Sequence, residues 1–180
     1  HAASGIGEAF LDGIPMLVIS GGVRSDSDFT YQLHEMDQHA MMASITKATY
    51  KIASQSEILE VFYTAYQTAT QGEPGPVFIE VPVNIQLYAG EIDRIQSYES
   101  FLGKVSSKEE NVGLRDQLNE AIDILLKSKS PGLFLGWGAV DVSEHTERIA
   151  ALLAAPVSTT LQGLSVFPSN HPLHTGMSFG

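Results

Sequence analysis

Apolar residues recur along this chain at two periods, and the switching between them sets the expected fold. From Ala2 to Asp12 the period is helical, with Ile6, Ala9 and Phe10 on one face. Residues 15–20, PMLVIS, form a continuous apolar run and predict a buried strand, closed by Gly21-Gly22. A polar loop over 23–32 follows, then a short helix within 34–43. Residues 47–52 alternate through Ala48, Tyr50 and Ile52 and predict a second strand. Ser54 and Glu57 match a capping box. The helix they open carries Ile58, Phe62, Ala65, Tyr66 and Ala69 as one stripe. Gly72 ends it, because glycine takes positive φ at no steric cost. Pro74 and Pro76 forbid helix around Gly75. Residues 77–81, VFIEV, then read as an interior strand that stops at Pro82.

Residues 87–112 lose any sustained period and read as an interdomain linker. Such a length is unusual for a loop inside one domain. A second unit starts at Gly113. Leu114, Leu118, Ala121, Ile122 and Leu125 repeat the helical stripe, and Ser130-Pro131 stops it. Residues 133–135 predict a strand that ends in Gly136-Trp137-Gly138. Ser143 is placed to cap a helix through Leu153, and residues 157–161 predict another strand. The tail, 163–180, reads as loop. Strands separated by helices imply parallel pairing and right-handed crossovers. The expected class is therefore α/β: two parallel-sheet, three-layer, Rossmann-like units (1–86 and 113–180), each incomplete and joined by the linker.

Composition narrows the function. The 180 residues are 43% apolar, with formal net charge −11 and no cysteine. A packed core is expected. The acidic field opposes phosphate backbones and anionic lipid, so neither a nucleic acid nor a membrane is an expected partner. Without cysteine there is no disulfide framework and no thiolate nucleophile. A cytoplasmic location fits this balance. The chain has no initiator methionine and stops without completing an element, which reads as a fragment cut within domains.

No complete catalytic motif is present. Gly136-Trp137-Gly138 lies where a strand meets a helix, the usual anion-binding corner of an open sheet. A dinucleotide fingerprint needs a third glycine at 141, where Asp141 stands. In His34-Glu35-Met36-Asp37-Gln38-His39 the histidines are five apart rather than the four of a helical zinc motif. No metal site is assigned in the chain; this segment reads as the wall of a cleft or as a surface helix start. His171 and His174 read as turn residues, and Glu109-Glu110 as solvated charge. Neither a nucleophile elbow nor a phosphate-binding loop of the Walker type occurs.

Several segments, in order, resemble thiamine-diphosphate enzymes of the acetolactate synthase type. GIGEAFLDGIPMLVISG is similar to the later half of their pyrimidine-binding domain. HEMDQHAMMASITKATYKI resembles the family's QExDxxxxxxxITK segment, and GEPGPVFIEVPVNIQ its GxPGPVxxxxPxDxQ exit strand. SPGLFLGWGAV and LAAPVSTTLQGLSVFPSNHPLHTGM resemble the start of the central domain. The resemblance implies thiamine diphosphate and Mg²⁺ as cofactors of the intact enzyme. Its activating glutamate would lie upstream of His1 and its metal ligands downstream of Gly180, leaving a middle third that is inactive alone. Leu33, His34 and Glu35 would line the active site beside a partner subunit. Relatives carry Phe-Gln at Leu33-His34 and, at Val83, a lysine near cofactor and substrate, so the resemblance implies that Val83 lines the active site too. Gly136, Trp137, Gly138, Thr159, Thr160, Leu161, Gly176 and Met177 would fall where flavin-containing members hold FAD, or where acyl-CoA decarboxylases bind ADP.

The resemblance thus implies a 2-oxo acid decarboxylase or carboligase. The alternatives are an oxalyl-CoA-type decarboxylase acting on an acyl-CoA substrate, or a non-catalytic nucleotide-binding or assembly module. Half-covered sheets imply a homo-oligomer, dimer or tetramer.

Overall fold

The middle strand of the first sheet decides how everything around it packs. A computed structural model of the chain describes residues 1–28, 32–90, 97–106 and 113–178, with the backbone alone at 103–106. The chain divides into two compact units, His1–Glu110 and Asn111–Gly180. In the first, β3 (Pro76–Pro82) lies between β1 (Met16–Gly22) and β2 (Ala48–Lys51), parallel to both. Among the described residues β1 and β2 are the edges.

Alternate residues of β3 bury on opposite faces. Val77 and Ile79 pack with Ala65 and Ala69 of α3 (Ile58–Thr70), together with Ile52 and Ile85. Phe78 points the other way, onto Ile6 of α1 (Ala3–Leu11) and Met42 of α2 (Gln38–Met42). Each such side chain contributes about 1.5–3 kcal/mol through burial. The result is helix, sheet, helix.

Several local expectations shift. Gly21 and Gly22 extend β1 instead of closing it, and Gly22 pairs with Pro82. A Cβ on Gly22 would lie 2.2 Å from Glu80 Oε1, so the glycine makes room for a carboxylate. Phe10 lies on the α1 stripe yet stays exposed. The helix expected within 34–43 begins only at Gln38, where Asp37 Oδ1 accepts from Ala40 N at 2.8 Å. The capping box does not form as written. Residues Gln55–Glu57 make a 3₁₀ turn, so Glu57 becomes the residue before α3. Its carboxylate instead accepts from Ser54 Oγ at 3.2 Å and Ala53 N at 3.3 Å.

At the other end of α3, Gly72 has φ +63°. Lys47 Nζ donates to the carbonyls of Thr68 and Gln71, occupying helix-end acceptors. Pro82 precedes α4 (Val83–Leu87). The aperiodic stretch 87–112 carries a helix, α5 (Tyr98–Ser106). Tyr98 packs on Tyr63 and Tyr66 at 5.4 and 5.3 Å between ring centroids, and Phe101 on Tyr63 at 5.5 Å. Two aromatics three residues apart make too short a stripe to register as a period. The paired carboxylates Glu109-Glu110 lie outside the described residues.

The second unit holds α6 (Leu114–Lys127), β4 (Leu133–Leu135), a 3₁₀ turn (Trp137–Val142), α7 (Ser143–Leu153), β5 (Val157–Thr159) and β6 (His174–Met177). The sheet runs β4-β5-β6, all parallel. Ala150, Val157 and Phe167 form its core, with Leu133, Leu135 and Leu173 against them. Three expectations change. Ser143 is the first helical residue, not a cap. The strand expected to reach Leu161 ends at Thr159, where Thr160 N donates to Leu135 O at 2.9 Å and turns the chain. The tail is not all loop, since β6 pairs with β5 across a bulge at Val157/Ser158. HTGM offers no strand signal; the pairing comes from register, helped by Thr175 Oγ1 donating to Val157 O at 2.9 Å. The α6 stripe is not buried: Leu114, Leu118, Ile122 and Leu125 are all exposed.

The expected class holds: two three-stranded parallel sheets in Rossmann-like α/β units. Among the described residues no helix is long and apolar enough to cross a membrane.

Candidate functional site

A strand as apolar as VFIEV should not carry a bare carboxylate, and it does not. Glu80 is 4% exposed, near the carboxyl end of β3. Its register partners are Ser20 on β1 and Lys51 on β2. Lys51 Nζ lies 2.9 Å from Glu80 Oε1. His39 Nε2 lies 2.9 Å from Glu80 Oε2, at ion-pair distance but off the axis of a hydrogen bond, so Nε2 is buried without a hydrogen-bond partner among the described residues. The His39 ring meets Phe78 edge-on at 5.6 Å, which fixes its plane.

This group floors a cavity of about 260 Å³ at the carboxyl edge of the sheet. That edge is where open parallel sheets bind ligands. Residues 34–38 form its wall, and Val23 closes one side. His34 stands at φ +64°, a left-handed conformation uncommon for a side-chain-bearing residue. Glu35 Oε2 accepts from Gln32 N at 2.9 Å, which ties the wall back on itself. Gln38 bridges to β1: its Oε1 accepts from Ser20 Oγ at 2.6 Å and its Nε2 donates to Gly21 O at 2.9 Å.

Beside the cavity, Arg24 makes a two-pronged pair with Asp26 at 2.9 and 2.8 Å, and its guanidinium lies 5.8 Å from the Tyr88 ring centroid. That pairing holds the Asp26 carboxyl below its ordinary range. Asn84, buried on α4, accepts from Ser25 N at 3.0 Å and anchors the same loop.

The expected wall residues therefore divide. His34 and Glu35 line the cavity. Leu33 is 84% exposed and does not line it. Val83 opens α4 and lies outside the lining too. His39, the last residue of the segment expected to wall a cleft, lines it as well, whereas Lys51, Glu80 and Gly22 were missed. The legible signal was a single Glu inside a β-branched run, which demands a partner. No group of three His, Asp or Glu is placed to hold a metal ion among the described residues.

The second sheet gathers the other expected residues. Leu135, Thr159 and Met177 are neighbours across its three strands, and Gly176 lies beside Ser158. Gly136 follows β4, and its carbonyl accepts from Ala139 N at 3.1 Å. Gly163 N donates to Thr160 Oγ1 at 3.0 Å, and a Cβ on Gly163 would lie 2.6 Å from Leu135 O. Thr159 Oγ1 is buried with no hydrogen-bond partner among the described residues, an open acceptor and donor at the carboxyl end of β5. Trp137 and Leu161 are exposed, and a Cβ on Gly138 would meet no atom within 4 Å.

Comparison with known proteins agrees with this architecture. Residues 118–180 match the family described as thiamine pyrophosphate enzyme, central domain. Over its length the chain is similar to acetolactate synthases, and over this stretch to the central domain of thiamine pyrophosphate enzymes. It is 34% identical to the probable acetolactate synthase large subunit of Methanocaldococcus jannaschii, over 98% of this chain and 30% of that protein. It is 30% identical to the acetolactate synthase of Arthrospira platensis, over 98% of this chain and 31% of that one. Against acetolactate synthase isozyme 1 large subunit of Escherichia coli it is 29% identical, over 98% and 30%. The chain thus spans about three-tenths of the length of these curated relatives.

Proposed function

We propose that the chain works as part of a thiamine-diphosphate- and Mg²⁺-dependent 2-oxo acid decarboxylase or carboligase of the acetolactate synthase type. The observation that supports this reading is continuous similarity to acetolactate synthases along 98% of the chain. Residues 1–86 would be the later half of a pyrimidine-binding domain, 87–112 a connection, and 113–180 the start of the central domain. Thiamine diphosphate, when bound, supplies the carbanion chemistry by which a 2-oxo acid loses CO₂. The part of this chain is positioning. His34 and Glu35 face the substrate from the cavity wall, with Leu33 and Val83 beside the same region. Mg²⁺ receives no ligand from the described residues in this reading.

At the second corner, Gly136 and Gly138 would let a nucleotide approach the backbone. Thr159 Oγ1 would give it a hydrogen bond, and Thr160, Leu161, Gly176 and Met177 would border it. FAD or ADP suits that donor set, with the exposed Trp137 ring against the ligand. The whole would act on a small 2-oxo acid as a homo-oligomer, dimer or tetramer, in the cytoplasm.

The test is turnover by the enzyme containing this chain, given pyruvate, thiamine diphosphate and Mg²⁺. CO₂ release or 2-oxo acid consumption is expected, and inactivity on a panel of 2-oxo acids and acyl-CoAs would refute it. Calorimetry with FAD and ADP tests the second corner separately.

A further inference from the structure

We propose that Gln32 and Asn84 are positioning residues: together they fasten the cavity wall that carries His34 and Glu35 to the sheet that floors it. That the wall serves a 2-oxo acid rests on the functional reading above; the fastening itself rests on geometry.

Burial does not hold the wall. Residues 33–36 are all exposed, the apolar Leu33 and Met36 among them, so little apolar area leaves water there. Hydrogen bonds have to do it instead. Gln32 and Glu35 close a turn on each other: Glu35 N donates to Gln32 O at 3.0 Å, and Gln32 N to Glu35 Oε2 at 2.9 Å. His34 sits inside that turn at φ +64°, a conformation that a residue other than glycine keeps only when its surroundings impose it. The Gln32 side chain then grips the backbone of the neighbouring loop. Its Oε1 accepts from Arg24 N at 3.2 Å and its Nε2 donates to Arg24 O at 2.9 Å. One primary amide satisfies both backbone groups of one residue, which fixes direction as well as distance.

The next residue carries the tie into the core. Asn84 is 7% exposed, and its Oδ1 accepts from Ser25 N at 3.0 Å and from Ser25 Oγ at 3.3 Å. It stands just past β3, the strand whose Glu80 floors the cavity. Wall and floor are thereby referenced to one strand. The gripped residue is itself braced, since the Arg24 guanidinium pairs with Asp26 and donates to Tyr88 Oη at 3.4 Å. Neither Gln32 nor Asn84 lines the cavity, so both act through the wall. A misplacement of about 1 Å at such a wall is enough to weaken a productive complex.

Two measurements test this on Gln32→Ala and Asn84→Ala. The first is solvent exchange of backbone amides in this chain, followed by nuclear magnetic resonance. The Glu35 amide, which neither substitution touches, should exchange about fivefold faster or more, while Ile79 in β3 keeps its rate. The second is turnover of a 2-oxo acid by the enzyme containing this chain. KM should rise about fivefold with kcat held within about twofold. Asn84→Asp keeps the oxygen that accepts from Ser25, and should restore both readouts. Far-ultraviolet circular dichroism checks folding; should Asn84→Ala not fold, Gln32→Ala decides the question alone. An unchanged Glu35 amide, equal acceleration at Ile79, or an unchanged KM in an active enzyme would each overturn the assignment and leave the functional reading intact. Absent turnover by the unsubstituted enzyme would sink that reading, while the exchange result still decided whether the wall is fastened in this way.

Discussion

The two sheets have the same strand count and the same parallel pairing, yet their central strands are covered differently. Its central strand buries Val77 and Ile79 on one side and Phe78 on the other, with helices over both. In the second unit the core gathers around α7, while Phe134 of β4 and the whole α6 stripe remain exposed. The polar groups do not divide the same way. Each unit keeps one buried side-chain polar atom without a hydrogen-bond partner among the described residues, His39 Nε2 in the first and Thr159 Oγ1 in the second. His39 Nε2 at least lies at ion-pair distance from Glu80, 2.9 Å.

The sharpest way to break the comparison is to cut matched apolar residues from each unit. Phe78→Ala should destabilise the first unit by about 3–5 kcal/mol. Ile122→Ala on α6 should change stability by less than about 0.5 kcal/mol, as an exposed substitution. Chemical denaturation of each variant measures both, and equal losses would mean that α6 is covered in solution. A smaller effect comes from the buried carboxylate. Glu80→Ala strands Lys51 and His39, and should cost about 1–3 kcal/mol, given that Lys51 is half exposed. Gly22→Ala should also destabilise, because its Cβ meets Glu80. The double variant should lose less than the two single losses added together.

Thr159→Val sharpens the contrast further. Removing an unpartnered hydroxyl from a buried site should be neutral or stabilise by about 1 kcal/mol. A loss would reveal a hydrogen bond made in solution.

The smallest effect is a pH response at the α5 contact. Desolvation, with a lesser push from Tyr66, raises the Tyr98 phenol above its ordinary value of 10.0. Folding therefore favours the neutral phenol. Its contribution is complete below about pH 10 and is lost as pH rises through the elevated folded value. Ultraviolet titration at the tyrosinate band should show a late-ionising component that Tyr98→Phe removes.

Much of this architecture was legible in periodicity alone. The PGPVFIEVP run identified the central strand because a short, mostly apolar run rich in β-branched residues between prolines leaves few other options. Gly72 marked a helix end for the same kind of reason, a backbone angle. What stayed hidden depended on partners distant in sequence. β6 is a strand only because β5 offers it a ladder, and α5 is a helix held by Tyr63 and Tyr66. The cavity was half visible. The polar density of residues 34–39 pointed to its wall, but its floor required three strands and a helix to meet. A lysine ending one strand and a glutamate within another say nothing of each other until register sets them side by side.

One consequence concerns handling. β1 runs seven residues, MLVISGG, with neither a charge nor a proline, and one side of it is unpaired among the described residues. Proteins usually blunt such a border with lysine, as β2 does through Lys51, or with a bulge. At high concentration this chain should therefore form aggregates that begin at β1. A lysine in place of Ile19, whose side chain is already 57% exposed, should raise its solubility limit while leaving the fold in place.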